Sequence, residues 1–297
     1  MALFRSFLLI SSLTSIPKLL SPARTVSYLF SHRRAMSTSP PVFKLDANIF
    51  NATLYKQLTD VWLSGVDMRG EELDHSVLKR WFIASKEEGI AFDGLCRSYF
   101  AHALEAIGPD QLPEPTAQPF LDEIERVSCE EDDTQAAWTA LSLTLLLDQI
   151  PRNIYRTDEG LRKVYNHYDK MAYALSQKLL SSSPPVPRVD LHPQWRHATA
   201  YRLWFNLPLM HSEESEAHDY IDKMLSEVGA ELETLEGHNG SKIFLDAQLK
   251  AEKDHRDILN RFGRYPHRNG ALGRSSTNEE KKFLEEGGAT FGVAQEK

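Results

Sequence analysis

Beyond residue 40, apolar residues recur at helical spacing along nearly the whole chain, and no stretch sustains the strict alternation of a half-buried strand. Ile49, Phe50, Leu54, Leu58, Val61 and Trp62 share one face of a first predicted helix, which ends near Gly65. A second is predicted from about Glu72 through Leu78, Trp81 and Phe82. A third is predicted from Asp93, as N-cap, through Tyr99, Phe100, Ala103, Leu104 and Ile107, where Gly108-Pro109 stops it. A weaker pattern covers Phe120 to Val127. The segment from Asp132 to Gln149 is apolar on nearly all sides at its centre, which predicts a buried central helix.

Further along, Thr157 is placed to cap a long helix to about Leu180, with Asp158 and Glu159 favourable in its first turn. Ser181 to Pro187 reads as a loop. Helices follow at Pro193 to Phe205, Ser212 to Val228 and Ser241 to Phe262, and a short one starts at Thr277, where Thr277 and Glu280 spell a capping box. The fold class expected is all-α: about eight to ten helices in antiparallel hairpins, closed into a single domain over residues 41–292. Residues 1–40 and 293–297 are expected to lie outside that domain.

The polar segments between these helices carry the candidate chemistry. Arg261 to Thr277 holds four arginines, a histidine and an asparagine in a stretch that cannot continue a helix. Gly263 stops the preceding helix, and Pro266 pushes Tyr265 into extended geometry. Guanidinium groups on such a backbone (Arg261, Arg264, Arg268, Arg274) suit bidentate recognition of a carboxylate or phosphate. Asp148 closes the buried apolar run at the negative end of a helix dipole, so it needs a cation, with Arg152, Arg264 and Arg268 as candidates. Such a pair either fixes the turn structurally or orients a site arginine. Pro151-Arg152-Asn153 and Pro266-His267-Arg268-Asn269 resemble each other as proline turns that present an Arg-Asn pair.

In His211-Ser212-Glu213-Glu214, after the expected helix breaker Leu207-Pro208, capping by Ser212 accounts for the serine and the glutamates but not for His211. Charge compensation predicts that the Asp148 turn, the His211–Glu213 turn and the arginine loop meet in space. His211, Glu214, His218, His255 and Asp257 are metal-ligating types, and Glu252-x-x-His255 has di-iron spacing. Only one such pair occurs, and no metal is expected. GxSxG, GxGxxG and HExxH are absent, and Gly237 to Lys242 has the wrong order for a phosphate-binding loop. Glu279 and Glu280 oppose an anion at the helix start after Thr277.

Composition changes the picture at the N-terminus. Residues 1–40 contain no Asp or Glu, five basic residues (Arg5, Lys18, Arg24, Arg33, Arg34) and many serines, as mitochondrial transit peptides do. The alternatives are a secretory signal, which Ser11 and Ser12 interrupt early, and a cytosolic form starting at Met36. The formal net charge is −8, and removing those five cations leaves −13, which argues against nonspecific nucleic-acid binding. Cys96 and Cys129 form no CxxC or Cys/His metal spacing and read as free thiols. No apolar stretch approaches the roughly 20 residues needed to span a bilayer.

Three blocks carry a family resemblance: LLLDQIPRNIYR (Leu145 to Arg156), LPLMHSEE (Leu207 to Glu214) and the long block from His255 to Glu286. They resemble the signature blocks of the "domain of unknown function 924" family, over roughly residues 45 to 292. The resemblance implies a tetratricopeptide-like helical fold and no settled activity or cofactor. VWLSG (Val61 to Gly65) and Asn278 depart from the family's more usual residues, at helix ends. The leading expectation is a soluble helical protein that binds an anionic small molecule or peptide carboxylate. Its site would comprise Asp148, Arg152, Asn153, His211, Glu213, His255, Arg264, His267, Arg268, Asn269 and Arg274, with Asp148 and Glu213 orienting the arginines. The alternatives are an enzyme using the same pocket, with a histidine as general acid or base, and a structural adaptor with no ligand.

Overall fold

The computed structural model describes residues 43–83 and 85–291, so the expected leader (1–40) and tail (293–297) lie outside the described residues. Among the described residues every regular element is helical, and the fold is all-α. Helix α1 (Ala52–Trp62) is capped by Asn51, whose side chain accepts from the amides of Thr53 and Leu54. The short α2 (His75–Leu78) runs into a wide π-type turn, Lys79–Ile83. Helix α3 (Lys86–Ala106) begins earlier than the expected Asp93, because Ser85 and Glu88 form a complete capping box. Asp93 lies inside that helix and serves as an acceptor for Asn153 and Arg156 instead.

Helices α4 (Gln118–Glu130) and α5 (Asp133–Asp148) are joined by only Glu131 and Asp132, so the chain reverses directly into a hairpin. Nearly every residue of α5 from Ala136 to Asp148 is buried, as its all-round apolar pattern predicts. Burying a leucine side chain contributes about 1.5–3 kcal/mol, and Leu141, Leu143, Leu145, Leu146 and Leu147 all do so on this helix. Asp148 is 1 % exposed because it ends this helix in the interior.

The chain continues through α6 (Ile150–Ile154) and α7 (Asp158–Lys163), which Thr157 caps. The long helix expected to Leu180 is interrupted by a π-type turn, Val164–Tyr168, before α8 (Asp169–Leu179). Helix α9 (Thr199–Met210) starts later than expected and runs straight through Pro208. A proline inside a helix costs about 3 kcal/mol, but all of α9 is buried and its packing outweighs that local preference. Ser212 does not cap α10 (Ser215–Glu233); its hydroxyl accepts from the Glu214 amide in the turn before the helix. Helix α11 (Asn239–Phe262) packs along α10 and α9 and ends at Gly263, in left-handed geometry at φ 68°. After it, Tyr265 is extended, Pro266–Arg268 form a single 3-10 turn, and α12 (Asn278–Glu285) starts with the Thr277/Glu280 capping box.

Candidate functional site

Three turns far apart in sequence converge where α5, α9 and α11 end. Asp148 closes α5, His211 caps the C-terminus of α9, and the Tyr265–Asn269 turn follows α11. Asp148 Oδ1 accepts from His211 Nδ1 at 2.8 Å, and its Oδ2 accepts from Gln149 Nε2 at 2.6 Å. Burial alone would raise the Asp148 pKa, but the fields of His211 and Arg152 and these hydrogen bonds outweigh it and hold the carboxyl at about 2. His211 moves the other way: burial and then Arg152 push its pKa below the ordinary value, against the pull of Asp148. At neutral pH the imidazole is therefore neutral. With Nδ1–H donated to a carboxylate, Nε2 carries a lone pair, and it has no hydrogen-bond partner among the described residues.

Arg152, one turn after Asp148, donates to the Asp148 carbonyl at 2.6 Å and makes a bidentate pair with Asp169 at 2.7 and 3.1 Å. The π-type turn before α8 sets this up, since it brings Asp169 to the cluster and lays Tyr165 beneath the arginine loop. Arg268 is 8 % exposed. Its guanidinium lies over the rings of Tyr165 (4.7 Å) and Tyr265 (4.8 Å). Its nearest carboxylate among the described residues, Asp169, is 3.9 Å away and is already hydrogen-bonded to Arg152. Arg268 Nε is buried with no partner among the described residues, as is Nδ1 of His267.

His255 donates from Nδ1 to the Ala251 carbonyl at 2.8 Å. Burial, together with His211, His218 and Arg268, pushes its pKa down to about 3. Burial, then Arg268, His255, Arg152 and His211, pushes that of His267 down to about 2. The cluster thus sets two guanidiniums against two carboxylates and adds three neutral imidazoles.

The other predicted residues serve different ends. Glu213 accepts a bidentate pair from Arg274 at 2.7 and 2.9 Å and the Tyr265 amide at 2.9 Å. Burial raises its pKa, but these donors more than offset that and the net shift is downward. Arg264 is turned outward onto Glu280 (2.6 and 2.9 Å) and the Ser275 carbonyl, and Asn269 donates to Ser276 at 3.1 Å. The Arg264 hydrogen bond holds the Glu280 pKa down at about 2. These contacts form a clasp that folds the loop onto α10 and α12. Glu213 therefore orients Arg274 rather than the cluster arginines, and Asp148 orients His211 and Arg152. Asn153 leaves the site altogether and bonds Asp93 at 2.8 Å beside Arg156, because α6 is a helix and turns it away from Arg152.

Of the metal-ligating types, His218 and Glu252 are hydrogen-bonded to each other at 2.7 Å, and Asp257 pairs with Lys253 on the surface. Among the described residues no group of three or more is placed to hold a metal ion. Sequence reasoning missed Asp169, Tyr165 and Phe291. Asp169 and Tyr165 lay hidden inside what reads as one continuous helix. Phe291 stacks on His255 with centroids 3.7 Å apart. A groove between α1, α4 and α5, lined by Tyr55, Lys56, Arg126 and Trp138, encloses about 400 Å³ away from the cluster.

The model of the family described as "Bacterial protein of unknown function (DUF924)" matches residues 58–288. The chain belongs to this family. The matched DUF924 segment contains the whole clasp and every cluster residue but Phe291. The chain is also similar to a solved structure, that of a protein of unknown function from Agrobacterium tumefaciens. The two share 26 % identity and a TM-score of 0.49, over 82 % of this chain and 100 % of that one. No curated protein matches the chain. Among the described residues, no helix is long and apolar enough to cross a membrane.

Proposed function

We propose that this DUF924 member binds a small anionic ligand, through a carboxylate or phosphate group, at Arg268. The imidazoles of His211, His255 and His267 line the site and Arg152 supports it. One observation carries the reading: a guanidinium buried between two aromatic rings, with no side-chain hydrogen bond among the described residues and with its nearest carboxylate among them, Asp169, paired to another arginine. Burying a charge without a hydrogen-bonded counter-ion is costly, and a bound carboxylate or phosphate would supply the missing acceptors in bidentate geometry. Calorimetric titration of the full chain with inorganic phosphate and with acetate tests this. Saturable one-site binding that weakens at least about tenfold in Arg268→Ala supports it. Equal binding by Arg268→Ala, or none by the parent, sinks it.

The Asp148–His211 dyad favours a second reading, an enzyme at the same site. A carboxylate-oriented neutral imidazole whose Nε2 has no partner among the described residues can act as a general base, and Arg152 and Arg268 would stabilise developing negative charge. Turnover of an ester or phosphoester panel that is lost in His211→Gln, while phosphate binding is retained, separates this reading from simple binding. If no anion binds and nothing is turned over, the adaptor reading takes their place. We also read residues 1–40 as a mitochondrial import sequence, which a fluorescent fusion of residues 1–45 tests.

A further inference from the structure

Phe291 closes the histidine side of the cluster. Its ring lies nearly parallel to His255, with 10° between planes and centroids 3.7 Å apart, and it stands edge-on to His267 at 5.7 Å. Tyr265 connects this ring to the anion-seeking group: the Phe291 centroid is 6.1 Å from that of Tyr265, and the Arg268 guanidinium is 4.8 Å from it. A planar aromatic seat and an under-paired guanidinium are thus both neighbours of one phenol ring.

The side chain in that seat is weakly held. Phe291 adopts left-handed backbone at φ 50°, which a residue with a β-carbon rarely does, and it remains 40 % exposed. Among the described residues the last backbone hydrogen bond before it runs from the Gly288 amide to the Phe283 carbonyl, just after the Gly287 turn at φ 84°. The ring packs most closely on His255, and a neutral imidazole suits an apolar π-face better than water does. Well-packed interior seldom needs such a strained, half-exposed cover.

We infer that the ligand is an aromatic anion: its planar ring replaces Phe291 on His255 while its carboxylate or phosphate takes Arg268. This rests on the anion reading above and adds the second half of the molecule. Phe291 then acts as a surrogate that keeps the seat dry until the ligand displaces it, so its removal favours aromatic anions selectively.

The test compares phenyl phosphate with inorganic phosphate on the full chain and on Phe291→Ala, by calorimetry. Phe291→Ala should bind phenyl phosphate about tenfold more tightly than the parent (~1.4 kcal/mol), with inorganic phosphate changed by less than about threefold. His255→Gln should abolish the preference for phenyl over inorganic phosphate, with matched melting curves showing that each variant is folded. An unchanged or weaker affinity of Phe291→Ala for phenyl phosphate overturns the inference, as does an equal gain for both probes. Phosphate binding without any aromatic preference removes this inference alone, whereas failure of both probes on both chains removes the anion reading and this inference with it.

Discussion

Arg264 and Arg268 stand four residues apart in one loop and differ in almost every physical respect. Arg264 is 28 % exposed at its side chain and spends its donors on Glu280 and the Ser275 carbonyl. Arg268 is buried between tyrosine rings and makes no side-chain hydrogen bond to the described residues. Arg274 sides with Arg264, bidentate on Glu213. In a chain with 42 acidic and 34 basic residues, finding a carboxylate is easy for an arginine. Nε of Arg80, Arg202, Arg256 and Arg274 is also buried without a partner among the described residues, but each of those side chains donates elsewhere, so the informative feature of Arg268 is that none of its side-chain donors does. The clasp serves the fold, and the cluster holds hydrogen-bonding capacity that the described residues do not use.

The largest expected difference between the two regions is in their pH dependence. His255 and His267 titrate at about 3 and about 2 in the fold, against about 6.5 in an unfolded chain. Between those values the unfolded state binds more protons, so stability rises with pH. Each imidazole should cost up to about 1.4 kcal/mol per pH unit as pH falls from about 6.5 toward 3. The clasp acts in a lower window. Glu280 is depressed to about 2, so its contribution is full above the unfolded carboxylate pKa of about 4.3 and is lost as pH falls toward 2. Chemical unfolding from pH 7 to 4 should show the steep loss, and a His255→Gln, His267→Gln double variant should flatten it. An equally steep curve for the double variant would break the contrast.

Next in size is the cost of removing each arginine. Arg274→Ala strands the half-buried Glu213 and should cost about 2–3 kcal/mol in denaturant unfolding. Arg268→Ala removes a poorly compensated charge and should cost only about 1 kcal/mol, because Asp169 keeps Arg152. If the two cost the same, Arg268 is a second clasp. An equally small loss of stability, about 1 kcal/mol from the lost bond to Asp93, is expected for Asn153→Ala, but with phosphate affinity unchanged.

Much of the fold was legible because it rests on local physics. The apolar surround of α5, the caps at Thr157 and Thr277, and the stop at Gly263 each appear where the residues place them. The Ser85/Glu88 box is equally legible in the residues and starts α3 ahead of Asp93. Pro208 misled because burial of the whole of α9 overrides a local preference, and Ser212 because the helix starts three residues later at Ser215. The candidate site was legible in composition but not in pairing. Sequence placed Asp148, His211 and the arginine loop on one list, but which carboxylate each guanidinium meets is fixed by tertiary geometry. Arg264 and Arg268 look alike as letters; the 3-10 turn at Pro266–Arg268 aims one inward and leaves the other out. Asp169 and Tyr165 depend on a π-type turn that no periodicity announced.

The central claim is that Arg268 is an anion seat rather than a structural clasp. A crystal of the full chain grown with selenate tests it most directly, because the anion's anomalous signal locates it without reference to any assumed pose. The account predicts a peak within hydrogen-bonding distance, about 3 Å, of the Arg268 guanidinium and one of the cluster imidazoles. Arg264 and Arg274 should remain on Glu280 and Glu213. Selenate bound only at surface lysines or helix starts, with Arg268 still between its tyrosines and without an anion, would contradict the account.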